Sequence, residues 1–380
     1  MTDSSHHIES TLTSTLARQK EAGLLRSLAV NNDKIDFCSN DYLSYARSER
    51  LKRRAMDALI NEGSPNGSTG SRCISGNSTL AEQVEKQIAA FHSAETALLF
   101  NSGYDANVGL FSCIAGKGDT IITDELVHAS IIDGCRLSRA EKAIFRHNEV
   151  EALEQILKQS QGNVFVAVES VYSMDGGSPP LKEIAELCTR HNANLIIDEA
   201  HATGVFGAHG RGLANALGVE HASFARVHTF GKALGCHGAV VVGSRVLREY
   251  LVNFARSFIF TTALPPHSIL TIRCVYEQLA ADGFDNSELH SLISYFKRAF
   301  TPHNGASLSE SNSPIQCVVV PGNERVIAVA HNLQKAHFDV RGIRSPSVPR
   351  GRECLRIALH THNTEEEISA LLTALREALT

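Results

Sequence analysis

The pattern of apolar and polar positions predicts a chain that alternates strands and helices over most of its length. From about residue 47 to residue 282, short apolar runs are separated by helical stretches of roughly 10 to 15 residues. Two helical segments, 51–60 and 80–91, come first. The predicted strands are 96–100, 120–123, 143–146, 164–168, 194–197 and 239–242. This alternation is typical of an α/β fold with a largely parallel sheet between helices.

The pattern differs on either side of this region. Before it, apolar residues at helical spacing over 8–28 lead into a polar turn and a short strand-like run at 35–39. We therefore predict an N-terminal helical arm over 1–46 and a large α/β domain over 47–282. After residue 283 the order is helix, strand, helix, two strands and helix, which predicts a smaller α+β domain over 283–380. The named elements there are strand 315–320, helix 324–335, strands 339–343 and 354–359, and helix 365–379.

Composition narrows the class of protein. The 380 residues are 43% hydrophobic and 20% charged, as in globular chains that bury a large core and form two domains. A net charge of -5 argues against a nucleic-acid surface. The polar start lacks a signal-peptide core, and no apolar stretch reaches membrane-spanning length. Nine cysteines are scattered singly, which indicates reduced thiols. We expect a cytoplasmic protein with small-molecule ligands and no metal site.

A first candidate site lies in the stretch 194–212, where an apolar strand ends at Asp198 and His201 follows. Sheets of this type bind ligands at the carboxyl ends of their strands, which favours a functional role. Asp198 could instead cap the next segment. The letters DEAH also occur in nucleotide-driven helicases, but that function needs a G-x-x-x-x-G-K-[ST] loop, and the sequence contains none.

A second candidate is Lys232 in HTFGKALGCHGA, which lies among glycines and apolar residues rather than on a charged helix face. A lysine removed from water has a lowered pKa, and its neutral amine can form a Schiff base with an aldehyde cofactor. It could equally bind a phosphate as a fixed charge. Together with the upstream Asp198, the pattern indicates pyridoxal phosphate, because a carboxylate at the pyridine nitrogen keeps the ring electron-accepting.

Two further segments follow predicted strands. Ser102, Gly103 and Tyr104 come after strand 96–100 at a predicted helix start, where backbone N–H groups can bind a phosphate. His128 follows strand 120–123, where its ring could lie flat on the cofactor. A lone histidine is more often structural, so His128 gains weight only beside the other motifs.

Taken together, these segments resemble the α-oxoamine synthases, a family of fold-type I pyridoxal-phosphate transferases with the fold of aspartate aminotransferase. The resemblance runs from about residue 39 to residue 362 and implies a mostly parallel seven-stranded sheet in the large domain. The motifs that carry it are SNDYL (39–43), GSTGSRCISGN (67–77), LFNSGYDANVGL (99–110), HASIIDGCRLSRA (128–140), ESVYSMDGG (169–177), IIDEAHATGVFG (196–207), TFGKALG (229–235), FIFTTALPP (258–266) and IRSPSVPRG (343–351).

The resemblance implies a role for each matching residue. Lys232 would hold the cofactor, Asp198 would face the pyridine nitrogen, His201 would bond the ring oxygen and His128 would stack on the ring. The phosphate would be bound by Gly103, Tyr104, Thr229 and Thr123, and by Thr261 or Thr262 of a second subunit. The active unit would therefore be a homodimer with shared sites.

The substrate residues follow from the same resemblance. Asn40 and Arg344 would hold the amino-acid carboxylate, Ser173 and Ser71 would lie near the ring and the substrate, and Arg26 would approach the acyl group. The implied reaction joins an amino acid to an acyl thioester with loss of carbon dioxide. Within the family, the greatest likeness is to the member that uses L-alanine and a pimeloyl thioester, of coenzyme A or a carrier protein, in biotin biosynthesis.

Other functions share these motifs. Relatives in the family make aminolevulinate, 2-amino-3-oxobutyrate, sphingoid bases or long-chain amino ketones, and a catalytically silent partner subunit would keep the fold. Retention of Lys232, Asp198, His128 and His201 argues against the silent subunit. The chain departs from the family at Gly177, where an acidic residue is usual, and at 77–82, where a histidine is common. Neither position carries the chemistry.

Overall fold

The structure, a computed structural model, describes residues 3–26, 28, 30 and 33–380, with side chains from residue 7 onward. The chain forms two compact units, 1–34 and 35–380. The first contains helix α1, Asp3–Glu21. The predicted helix over 8–28 is wrong at its end, because the chain turns at Gly23, whose φ of 66° lies in the left-handed region.

The second unit alternates helices and strands. Its helices are α2 (Glu49–Asn61), α3 (Thr79–Phe91), α4 (Gly103–Cys113), α5 (Ala129–Leu137), α6 (Val150–Leu157), α7 (Leu181–Arg190), α8 (Leu213–Leu217), α9 (Arg245–Phe254), α10 (Arg256–Ile259), α11 (Pro266–Ala280), α12 (Ser287–Ala299), α13 (Asn323–Lys335) and α14 (Glu365–Leu379). Its strands are β1 (Ile35–Asp36), β2 (Thr96–Phe100), β3 (Thr120–Asp124), β4 (Glu141–Phe145), β5 (Val164–Glu169), β6 (Asn194–Asp198), β7 (Ser223–Thr229), β8 (Ala239–Gly243), β9 (Ser307–Leu308), β10 (Ile315–Val319), β11 (Phe338–Asp339), β12 (Arg341–Ile343) and β13 (Cys354–Ala358).

A seven-stranded sheet with the order β2-β8-β7-β6-β5-β3-β4 forms the centre of this unit. Strand β8 runs antiparallel to both of its neighbours, and the remaining pairs are parallel. Every residue of β3 and β5 is buried, as expected for strands covered by helices on both faces. The predicted fold class is confirmed, although β7 was not among the strands predicted individually.

The connection between β7 and β8 carries Lys232 and closes as a hairpin. Phe230 N donates to Gly238 O at 2.9 Å, and Cys236 N donates to Phe230 O at 2.8 Å. Because β8 is the reversed strand, the chain returns to the sheet without an intervening helix. Lys232 is thereby held at the edge where β2, β3, β5, β6 and β7 end.

A smaller antiparallel sheet of order β12-β13-β10-β9 follows. The predicted strand 339–343 is two strands: β11 pairs with β1 in parallel, and β12 pairs with β13. One apolar core includes both Leu51 of α2 and Leu375 of α14. The domain limits near residues 46 and 282 stay predictions. Among the described helices, none is both long and apolar enough to span a bilayer.

Candidate active site

Lys232 lies beside His201 at the carboxyl edge of the central sheet. Its Nζ is 2.8 Å from His201 Nε2. Burial lowers the pKa of Lys232 to about 8, although the negative charge of Asp198 acts in the opposite direction. A lysine in this state supplies the neutral amine that reacts with an aldehyde.

Asp198 and His128 are connected through Asn107 on α4. The amide nitrogen of Asn107 donates to Asp198 Oδ2 at 2.8 Å and to Ser130 Oγ at 3.0 Å. Ser130 in turn lies 2.7 Å from His128 Nδ1. Ala200 N donates to the other oxygen of Asp198, so the carboxylate is held at both atoms. Burial lowers the pKa of His128, which favours the neutral ring that stacks on an aromatic cofactor.

The start of α4 forms a space suited to an anion. Ser102 caps the helix by accepting from Asp105 N at 3.0 Å, and Gly103 is the first helical residue. A side chain on Gly103 would place its Cβ only 2.3 Å from Thr229 Oγ1 at the end of β7. Glycine therefore lets the helix N-terminus approach Thr229, and backbone N–H groups there can bind a phosphate.

The other predicted phosphate residues have these positions. Tyr104 is the second residue of α4, and its hydroxyl donates to Asp133 Oδ2 at 2.6 Å. Thr123 is buried on β3. Asn101 donates its amide nitrogen to Thr261 Oγ1 at 3.0 Å and to Thr262 O at 2.8 Å. Within one chain, the 261–262 segment therefore lies next to the residues that precede α4.

A polar chain on the other side of His201 reaches β13. Tyr42 OH lies 2.8 Å from His201 Nδ1 and donates to Asn40 Oδ1 at 3.0 Å. Arg356 on β13 donates to the same Asn40 oxygen at 3.0 Å and to Ser173 O at 2.7 Å. The structure thus brings the predicted residues Asn40, Ser173 and His201 together through Tyr42 and Arg356.

Arg356 was not predicted from the sequence, and its environment differs from that of Arg344. Its charge adds to burial in lowering the pKa values of His201 and Lys232. Arg344 follows β12, and its backbone oxygen accepts from Ser347 N. Ser71 O accepts from Ile74 N and Gly76 N in its own loop. The roles predicted for Arg344, Ser71 and, in the first unit, Arg26 stay predictions.

Glu169 is a further buried acid that sequence reasoning missed. It is the register partner of Asp198 on the neighbouring strand, and its side chain is buried. Burial first, and the charge of Asp198 second, raise its pKa well above the usual range, so the carboxyl group is neutral. One signal was available, because Glu169 ends an otherwise apolar strand just as Asp198 does.

A cluster outside this site has metal-ligating side chains. Ligand atoms of Asp36, His360 and His362 lie within 4.8 Å of one another. Arg47 donates to Asp36 Oδ2 at 2.9 Å, however, and Ser39 O lies 3.0 Å from His360 Nε2. A cation there would compete with the guanidinium of Arg47, so these contacts suit a structural network.

Comparison with known proteins identifies the family of this chain. Residues 32–375 match the family described as aminotransferase class I and II. The chain belongs to this family. The 8-amino-7-oxononanoate synthase of Emericella nidulans is 42% identical over 400 residues, which cover 98% of this chain and 96% of that protein.

Two solved structures are also similar. The serine palmitoyltransferase of S. paucimobilis, solved with PLP and myriocin, superposes with a TM-score of 0.86 at 29% identity and covers 97% of this chain and 96% of its own. The 8-amino-7-oxononanoate synthase of Francisella tularensis gives 0.77 at 30% identity, covering 91% and 98%. The predicted resemblance to α-oxoamine synthases, the pyridoxal-phosphate cofactor and the enzyme class are confirmed.

The residues present fit this cofactor. Asp198 is oriented by Asn107 and Ala200, the space between Gly103 and Thr229 would be filled by any Cβ, and the Lys232 amine has a lowered pKa. These features, which lie at one edge of the sheet, suit the pyridine nitrogen, the phosphate and the aldehyde of this cofactor.

Proposed function

We propose that this enzyme condenses L-alanine with a pimeloyl thioester, releasing carbon dioxide and a free thiol and forming 8-amino-7-oxononanoate for biotin biosynthesis. The observation that carries the proposal is the set formed by Lys232, His201, Asp198 and His128 at one sheet edge, in a chain 42% identical to a synthase of that name. Reaction type follows from the site, and the choice of substrates follows from the relatives.

Lys232, Asp198 and His128 have different roles in the proposed reaction. Pyridoxal phosphate supplies the ring that accepts electrons from the substrate α-carbon. Lys232 would hold the cofactor through Nζ, and the same nitrogen is the base that would take the α-proton of the amino acid. Asp198 would face the pyridine nitrogen, and Asn107 and Ala200 fix both of its oxygens in place. His128 would orient the ring from one face.

Arg356 is proposed to hold the amino-acid carboxylate together with Asn40. Arg356 donates to Asn40 and to Ser173 O, and its positive charge contributes to the lowered pKa values of His201 and Lys232. A guanidinium is suited to a carboxylate because its fork matches both oxygens. Arg344, the arginine predicted from the sequence, stays a candidate for this role, and Arg26 stays a candidate for contact with the acyl group.

The proposed assembly is a cytoplasmic homodimer in which Thr261 or Thr262 contributes to the phosphate site of the partner. Phe260, beside these threonines, is 70% exposed in the single chain. An exposed aromatic residue next to the polar groups of Thr261 and Thr262 suits a surface that a second subunit covers. Thiol release from coenzyme A or from a carrier protein fits the same chemistry.

The test is a substrate panel with the purified enzyme and added cofactor. Alanine, glycine and serine are each combined with pimeloyl, acetyl, succinyl and palmitoyl thioesters, and free thiol and amino ketone are measured. We expect the alanine and pimeloyl pair to give the highest kcat/KM, and Lys232→Ala to lose turnover while keeping its Tm. Preference for serine with palmitoyl thioester would favour the second candidate, a palmitoyltransferase, which the fold likeness to that enzyme supports.

A further inference from the structure

Tyr42 has no role in the assignments above, although its hydroxyl contacts two residues of the site. The side chain is fully buried. Its oxygen lies 2.8 Å from His201 Nδ1 and 3.0 Å from Asn40 Oδ1. A phenol has one hydrogen to donate and an oxygen that accepts, so the two contacts must differ in direction.

Arg356 fixes the direction of these bonds. A guanidinium only donates, so Asn40 must present its amide oxygen to Arg356 Nη2, 3.0 Å away. The amide nitrogen in that position would oppose two donors. The same oxygen is the partner of the Tyr42 hydroxyl, which therefore donates its one hydrogen to Asn40. The Tyr42 oxygen is then left to accept from His201.

His201 consequently carries its proton on Nδ1. Burial first, then the positive charges of Lys232, Arg356 and His128, hold the pKa of His201 well below its usual range, so the ring is neutral. With one proton on Nδ1, the Nε2 atom is bare and accepts from Lys232 Nζ at 2.8 Å. Every hydrogen bond in the series that runs from Lys232 through His201, Tyr42 and Asn40 to Arg356 then joins one donor to one acceptor.

We propose that Tyr42 is a positioning residue that fixes the Nδ1–H tautomer of His201 and thereby presents an unprotonated Nε2 to Lys232 and to the ring oxygen of the cofactor. An acceptor at this point can take a hydrogen bond from Lys232 Nζ or from a protonated ring oxygen, whereas the other tautomer would present a donor. The inference goes beyond the proposed function, because it holds for any substrate that reacts at Lys232.

The deciding variant is Tyr42→Phe. It keeps the ring and removes the oxygen that accepts from His201, so a proton left on Nδ1 would be buried without a partner. His201 can avoid this by moving its proton to Nε2. A donor would then face the ring oxygen and favour the more negative form of the bound cofactor. We expect the visible absorbance of the holoenzyme to titrate about one pH unit lower, the size that one hydrogen bond accounts for.

A second measurement reports the tautomer directly. The ¹⁵N spectrum of the full-length holoenzyme labelled at histidine distinguishes Nδ1–H from Nε2–H rings, and the signal of His201 is assigned by its loss in His201→Asn. We expect Nδ1–H in the wild type and Nε2–H in Tyr42→Phe. A wild-type His201 with its proton on Nε2 would overturn the proposal, even if Tyr42→Phe failed to fold.

Tyr276→Phe is the matched control. Tyr276 is also fully buried and its hydroxyl lies 3.0 Å from a histidine nitrogen, His92 Nε2. We expect a similar loss of Tm in the two variants but an unshifted absorbance titration in Tyr276→Phe. If Tyr42→Phe also titrates like the wild type, its contact is structural and the proposal is wrong. Neither readout uses substrate, so the outcome is independent of the alanine and pimeloyl assignment.

Discussion

Glu169 and Asp198 occupy paired positions on neighbouring parallel strands, and their residues are 2% and 5% exposed. Two ionised carboxylates in this setting would repel each other without water to screen them. The raised pKa of Glu169, caused by burial and then by Asp198, favours the neutral form of the Glu169 carboxyl group. Glu169 therefore adds no second negative charge beside Asp198.

Glu169→Gln should therefore have almost no effect on the stability of the protein. Glutamine has the shape and charge of the neutral acid, so we expect the free energy of unfolding to change by less than about 0.5 kcal/mol. Glu199→Gln is the control. Burial also raises the pKa of Glu199, but its carboxylate accepts from Ser170, Leu213 and Ala214, and an amide would oppose a donor.

Glu199→Gln should accordingly lose about 1 to 3 kcal/mol. Urea unfolding of the two variants at neutral pH compares them directly. Equal losses would mean that Glu169 is ionised in the folded protein.

Attachment of pyridoxal phosphate to apoenzyme should depend on the ionisation of Lys232. Its pKa is lowered by burial from 10.5 to about 8, and only the neutral amine attacks the aldehyde. The rate should rise with pH and level off above pH 8, as measured by stopped-flow absorbance.

The same shift affects stability. Between pH 8 and 10.5 the unfolded chain binds the proton that folded Lys232 has lost, so the stability of the apoenzyme should rise with pH in this window. Lys232→Met should lack that part of the rise. A loading rate that still climbs steeply above pH 10 would show that the amine is not desolvated.

Matched lysine substitutions can show whether Arg356 or Arg344 binds the amino-acid carboxylate. If Arg356 binds the amino-acid carboxylate, Arg356→Lys should raise KM for alanine about ten- to a hundredfold, because a charged hydrogen bond is worth about 1.5 to 3 kcal/mol. KM for the thioester should change little. Arg344→Lys is expected to leave both constants within about twofold. The reverse pattern would restore the role that the sequence predicted for Arg344.

Ser71 is expected to influence the choice of amino acid. The family resemblance places a threonine here in the glycine-using aminolevulinate branch, and one methyl group in an apolar pocket is worth about 1 to 3 kcal/mol. Ser71→Thr should reduce kcat/KM for alanine more than for glycine. Ser71→Ala, which removes the hydroxyl without adding a methyl group, should keep the wild-type ratio. An unchanged ratio in Ser71→Thr would remove Ser71 from the pocket.

Elements with a regular apolar pattern were predictable from the sequence, and those with buried polar groups were not. Strand β2 was predicted at its observed limits, since its residues are apolar and a turn follows. Strand β7 was missed because it buries Arg226 and His228, which have polar partners in His92 O and Thr203 Oγ1. Its pattern therefore looks polar although the strand lies in the core.

The residues of the candidate site also differ in how far the sequence predicts them. Lys232, Asp198 and His201 lie in local motifs that indicate their chemistry. Tyr42 and Asn107 acquire their roles from partners 159 and 91 residues away in the chain, His201 and Asp198. Since no local pattern records such pairs, only the folded arrangement reveals them.

The hairpin that carries Lys232 limits the conformational entropy that is lost during catalysis. Backbone bonds at Phe230 and Gly238 attach it to two adjacent strands, so the backbone at Lys232 has little conformational freedom. The ordering entropy of that segment is lost once, when the chain folds, and not again at each turnover. Reversal of a single strand thus places the reactive nitrogen on a segment whose backbone is already ordered by the sheet.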